Sequence, residues 1–225
     1  DNKSIQHNTN TVNIMTNISL VSLTDTASIF ICSYYVASLP QSIILFIPSM
    51  FAYELVFDFF HYWTHRMCHH KYLYWIHKQH HQDTYDLNVY STFNQHPLDL
   101  LLTNVLPMYL TSNIIPLTDL NFMTFMLYKS YIEISGHTGL DVNSSSFPQC
   151  MWVSKLLNIE LYMEDHYDHH IKYNYNYSKR FSVWDRAFGT YYQNENVHKK
   201  NKYEKTFFNK MCGIGLLITP LIVSY

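Results

Sequence analysis

A chain of 225 residues is long enough for one domain or one helical bundle with a sizeable core, and too short for two independent ones. A formal net charge of -2 supplies no basic face to neutralise phosphates, so nucleic acid is excluded as a partner on charge grounds. Only 14% of residues are charged while 48% are apolar and 17% aromatic, a balance that leans towards membrane contact. The mean hydropathy of -0.15 is low for a multispan protein, because Tyr, His and Asn depress the average. Four widely spaced cysteines form no CxxC pair, which signals neither a zinc knuckle nor a disulfide framework and fits a reducing compartment.

Residues 1–25 are rich in Asn, Thr and Ser and read as a flexible lead-in or a frayed first helix, followed by a membrane domain over 26–195 and a tail over 196–225. Apolar runs at 27–39 and 43–60, broken by Pro40, Gln41 and Ser42, predict a helical hairpin. A second pair, 98–117 and 120–134 around Pro116, repeats the pattern, with Pro97 placed for a helix start and Pro107 for a kink. The runs reach the roughly 20 residues of a membrane span only with their polar members included. Glu54, Asp58, Lys129 and Glu133 lie in or beside these runs, where ionisable groups face a bundle interior or a cavity. Arg66, Lys71, Lys78, Lys172, Lys179 and Arg180 place the polar segments on the cytosolic side by the positive-inside rule. The apolar stretch 213–223 is too short to span. The expected fold is all-α: membrane-embedded helical hairpins under a cytosolic, histidine-rich helical cap.

Of fourteen histidines, all but His7 and His198 fall between His61 and His170. His61 and His65 are four apart and share a helix face, with Asp58 and His69 extending the same stripe; this helix is expected to present His61 and His65 as ligands and Asp58 to orient one of them. His77, His80 and His81 follow i, i+3, i+4 spacing, as do His166, His169 and His170. Each triplet can aim two imidazoles at one metal and one at its neighbour, so two metals are the natural inference. A lone helical histidine is usually structural, and three clusters at ligand spacing reverse that prior. Imidazole suits Fe, Zn, Cu and Ni alike, so the donor type does not choose the metal. No His-Glu-x-x-His, Gly-x-Ser-x-Gly or Gly-rich phosphate loop is present.

DFFHYWTHR at 58–66, HKQHH at 77–81 and HYDHH at 166–170 together resemble the fatty acid hydroxylase and sterol desaturase superfamily. HPLD at 96–99, EISGHTG at 133–139 and WDRAFGT at 184–190 resemble its other blocks, in the same order. The resemblance implies an endoplasmic-reticulum membrane enzyme with two Fe ions, or Zn after purification. It further implies O2 and NAD(P)H electrons delivered through a b-type cytochrome and its reductase, to hydroxylate or desaturate a lipid. It maps the eight clustered histidines onto metal ligands, adds His96 and His137, and leaves Glu133 to ligate or to orient His137. Asp165 and Asp168 join Asp58 as candidates to fix imidazole tautomers, while His69 and His70 are expected to support the ligands. Trp184 and Asp185 are expected to fasten the cap. A sterol is the favoured lipid and a fatty-acyl chain the next. Two rivals stay open on the residues themselves: a zinc-dependent membrane hydrolase, and a non-enzymatic membrane metal-binding or transport protein.

Overall fold

The computed structural model describes residues 11–33, 43–82, 89–138 and 145–193. The expected turn at 40–42 and the tail at 196–225 lie outside them. The described residues are helical, with isolated antiparallel bridges at Ser145 to Tyr162 and Glu160 to Phe181 and no strand.

Helix α1 (Thr11–Ser33) runs through the expected lead-in. Its Ser and Thr hydroxyls turn back one turn, Ser19 to the Met15 carbonyl and Thr24 to that of Leu20, both at 2.8 Å. The polar side chains are thereby satisfied on the helix itself. Helix α2 (Ile43–Cys68) continues the apolar run straight into the first histidine motif. Among the described residues it alone is long and apolar enough to cross a membrane.

After the one-turn helix α3 (Tyr74–His77) and a 3-10 turn (Val89–Phe93), the chain re-enters helix at α4 (Pro97–Leu100). His96 is the N-cap: its Nδ1 accepts the Leu98 N–H at 3.2 Å, and Pro97 follows where its missing N–H costs nothing. A π-helical turn (Leu101–Val105) leads into α5 (Leu106–Ile114), which carries Pro107 in its first turn. Helix α6 (Asp119–Gly136) starts from the Thr118 cap and ends beside His137. The short helix α7 (Met151–Leu156), helix α8 (Met163–Lys172) and the short α9 (Val183–Ala187) complete the cap.

α2 packs on α5 and α6 through Met50, Tyr53 and Phe57 against Met108, Phe122 and Phe125. Tyr53 and Phe57 meet the Phe125 ring edge-on at 4.8 and 5.2 Å, and the Tyr53 hydroxyl finds Ser112 at 2.9 Å. A second apolar cluster joins Phe147 and Phe181 of the cap to Phe51 and Leu55 of α2. Beside it the Arg180 Nε meets the Glu54 carboxylate at 2.5 Å, both fully buried. Arg180 and the cavity-lining Lys179 are therefore interior, and of the basic residues counted for topology only Lys71, Lys78 and Lys172 are exposed.

Candidate metal centre

Two histidine groups converge where α2, α3, α6 and α8 meet. The first is His65, His69, His77, His81 and His169; the second is His80, His137, His166 and His170; within each, one nitrogen per ring lies within 4.8 Å of all the others. The groups abut, with the His81 and His170 ring centres 4.5 Å apart.

Four of the rings are aimed by what their Nδ1 holds. His65 donates Nδ1–H to the Tyr177 carbonyl at 2.8 Å, His169 to the Tyr175 carbonyl at 2.7 Å and His137 to the Glu133 carbonyl at 2.7 Å. The last of these is a helix-end carbonyl without its usual donor, because the His137 N–H bonds to Ile134 instead. His77 donates to the Asp99 carboxylate at 2.8 Å. A ring that donates from Nδ1 carries a bare lone pair on Nε2. The Nε2 atoms of His65 and His77 nevertheless lie 3.1 Å apart, as do those of His77 and His81, and of His166 and His170.

For His65 and His77, whose Nδ1–H groups are both given away, two lone pairs at that separation repel unless a cation lies between them. With metal–nitrogen bonds of about 2.1 Å, ligands about 90 to 110° apart sit about 3.0 to 3.4 Å from each other, which matches these contacts. The buried His169 Nε2 has no hydrogen-bond partner, which is costly for a polar atom and natural for a ligand. Burial, with repulsion from neighbouring rings, also holds His80, His81, His166 and His170 neutral, and takes His169 down to about 3. Neutral imidazoles are what a metal binds, so the residues fit a dinuclear centre.

Of the ten histidines expected as ligands, eight fall in the two groups: His65, His77, His80, His81, His137, His166, His169 and His170. His61 and His96 do not. His96 caps α4 and packs on Trp75. His61 gives its Nδ1–H to the Thr103 carbonyl at 2.5 Å, and that carbonyl is available because Pro107, four residues on, has no N–H to offer it. His69, expected only as a supporting residue, takes the place in the first group, while His70 is exposed against Tyr72. The two histidines that α2 and its C-terminal end bring into the first group are thus His65 and His69, one turn further along the same face than His61 and His65.

The carboxylates also depart from expectation. Asp58 touches no histidine; it accepts the N–H groups of Lys179, Arg180 and Phe181 at 2.6 to 3.0 Å. Glu133 orients His137 through its backbone only, since its side chain is held by Lys179 at 2.6 Å and Lys129 at 3.3 Å. Asp165 caps α8 by accepting the Tyr162 N–H. Asp99 does hold a ring, and its 22-residue separation from His77 carries no local pattern in the sequence. Trp184 and Asp185 do fasten the cap: Trp184 donates to the Leu55 carbonyl at 3.1 Å, and Asp185 accepts the N–H groups of Tyr177 and Ser178 at 2.9 and 2.8 Å. Asp58 and Asp185 therefore grip the loop whose carbonyls at Tyr175 and Tyr177 aim His169 and His65.

A profile of the fatty acid hydroxylase family matches residues 50–190, which contains both histidine groups and the strapping loop. The chain belongs to the fatty acid hydroxylase family. It is 29% identical to the fatty acid hydroxylase vlmA of a Lecanicillium species, over 61% of this chain and 40% of that protein. Human lathosterol oxidase is 28% identical, over 68% of this chain and 48% of that protein. The very-long-chain aldehyde decarbonylase GL1-9 of indica rice is 32% identical, over 65% and 55% respectively. The chain thus spans about half the length of these curated family relatives. No solved structure matches it.

A cavity of about 660 Å³, its open mouth included, lies against the centre. Its wall includes His65 and His77 of the first group, His80, His137 and His166 of the second, and the apolar side chains Ile132, Leu161 and Met163. Gly136 lies beside His166, where an added Cβ would come within 3.3 Å of the imidazole.

Proposed function

We propose that this chain is an O2-dependent lipid oxidase, working by hydroxylation or desaturation at two iron ions, with a sterol-type substrate ahead of a fatty-acyl chain. The single observation that carries the reading is the shared wall: one cavity is bounded at once by histidines of both groups, so a substrate carbon inside it sits against the whole centre. Names of relatives, an oxidase of lathosterol and a hydroxylase of fatty acids, support lipid oxidation.

Bound iron would supply the O2 activation and redox chemistry needed at an unactivated C–H bond. Five imidazoles in the first group exceed the four of a closed zinc site, which favours a metal of higher coordination number over zinc. The protein's own part is to hold the rings neutral, fix their Nδ1 atoms on Tyr175, Tyr177, Glu133 and Asp99, and keep water from the buried face. In this reading α2 is one of several spans in the endoplasmic reticulum membrane, and its histidine end faces the cytosol. A b-type cytochrome with its reductase delivers electrons from NAD(P)H at the exposed Lys71, Lys78 and Lys172 side.

The test incubates the iron-loaded chain in lipid vesicles with total lipid extract, NADPH, a b-type cytochrome and its reductase under isotopically labelled O2. A lipid that gains a labelled hydroxyl, or loses a pair of hydrogens, only with both iron and O2 present is the expected outcome. Product that forms under argon, or with zinc alone, contradicts it.

A further inference from the structure

One corner of the cavity is built unlike the rest. His61 belongs to neither histidine group, although its ring lies 5.2 Å from that of His65; it lines the cavity, and with its Nδ1–H given to Thr103 its Nε2 can only accept. Lys179 lines the same cavity and donates to the Glu133 carboxylate at 2.6 Å and to the Asn104 side-chain oxygen at 3.0 Å. An ammonium has three donors, so one N–H of Lys179 is left for a ligand. Thr103 and Asn104, which anchor the two groups, are consecutive residues of the π-helical turn at Leu101–Val105, and both are buried. Such turns inside a helix commonly mark functional sites.

The charges of this corner already balance. Glu133 lies between Lys179 and Lys129, and Lys129 also meets Asp25 at 3.2 Å, so two ammonium groups face two carboxylates. At this corner an incoming carboxylate accepting from Lys179 would lie beside the Glu133 carboxylate, a like charge, whereas a neutral group would not meet that repulsion. A hydroxyl both donates and accepts, and it matches the acceptor on His61 and the spare donor on Lys179.

We propose that His61, Asn104, Glu133 and Lys179 form a recognition site for an uncharged hydroxyl group, which makes the substrate a lipid alcohol rather than a free fatty acid. The proposal rests on the lipid-oxidase reading and narrows it. Binding the hydroxyl at this corner fixes how far the hydrocarbon reaches along Ile132 and Leu161, and so which carbon lies beside His80 and His137.

Equilibrium binding of radiolabelled cholesterol, cholesterol methyl ether and palmitate to the full chain in detergent micelles tests this, under anaerobic conditions so that no turnover occurs. The wild-type chain is expected to bind cholesterol about two- to tenfold tighter than the ether, the range for the neutral hydrogen bond to His61 that only the hydroxyl can donate, and palmitate more weakly still. His61→Phe should lose that preference while binding the ether as before, whereas Lys179→Met should weaken the alcohol and the ether alike. His61→Phe preserves the ring shape and leaves the Lys179–Glu133 pair intact, so it serves if Lys179→Met does not fold. A purely structural role for the pair leaves the alcohol preference unmoved in His61→Phe, and that result overturns the proposal. Equal affinity for alcohol and ether, tighter binding of palmitate, or binding of none of the probes overturns it as well. Because no turnover is read, failure of the oxidase reading appears separately, as absence of labelled product from a chain that still prefers the alcohol.

Discussion

The Nε2 atoms of His65 and His77 lie 3.1 Å apart although each ring has already donated its Nδ1–H, one to the Tyr177 carbonyl and one to the Asp99 carboxylate. No proton is left to bridge them, so their approach is stable only around a cation. Asp99 keeps His77 in the tautomer this requires. Asp99→Asn is expected to weaken metal binding about 10- to 100-fold, the usual cost of losing a partner behind a ligand, as read by competition with a chromophoric chelator. Unchanged affinity would remove Asp99 from the centre.

His61, His65 and His69 give a second prediction because they share one face of α2. His69→Ala should lower the metal content and weaken the first of the two sites. His61→Ala should leave the metal content as in the wild-type chain. Elemental analysis of the purified variants separates the two, and the opposite ranking would move the ligand pair back to His61 and His65.

What could be read from the sequence was local. The triplets His77/His80/His81 and His166/His169/His170 declare themselves because i, i+3, i+4 spacing is a property of a single segment, and the apolar run before His61 predicts α2 for the same reason. The stripe on α2 could not be resolved in that way, since 61, 65 and 69 are equivalent by period. Only distant partners, Thr103 for His61 and Tyr177 for His65, decide which rings enter the centre. Asp58 looked like a ligand-orienting carboxylate from its place on that stripe, but its partners are backbone groups about 120 residues away, at separations of 121 to 123. Lys179 and Arg180 count in the sequence only as cytosolic-side charges, since nothing local signals that Glu133 and Glu54 meet them inside.

Asp58 supplies a third prediction. Removing its carboxylate leaves three N–H groups of the strapping loop without an acceptor, at about 1 to 3 kcal/mol for each buried donor. Asp58→Ala is therefore expected to lose about 3 kcal/mol or more of stability in denaturant titrations. Asp58→Asn, which keeps one acceptor oxygen, should lose less. An Asp58→Ala chain as stable as the wild type would show that the strap is held elsewhere.

The buried imidazoles make the metal-free protein acid-sensitive, with a definite sign. In the folded chain His169 is held down to about 3, and His166 and His170 well below their usual value, chiefly by burial. The unfolded chain takes up protons near the ordinary histidine value of about 6.5, so it binds more protons than the folded chain below that pH. Stability should therefore be intact above about pH 7 and fall steadily as the pH drops from about 6.5 towards 4, by about 1.4 kcal/mol per pH unit for each such histidine. Thermal melts of the chelated protein across that range check this. A melting temperature that is flat or rises on acidification would contradict the neutral, buried state.

The central claim is that two adjacent histidine groups hold two iron ions, and its most direct measurement is metal content per chain after expression with iron and anaerobic purification. About two iron ions per chain are expected from the five-donor and four-donor groups, falling towards one when His166 and His170 are both replaced by Ala. A chain that holds one ion or none, or whose metal content ignores the loss of His166 and His170, would contradict it.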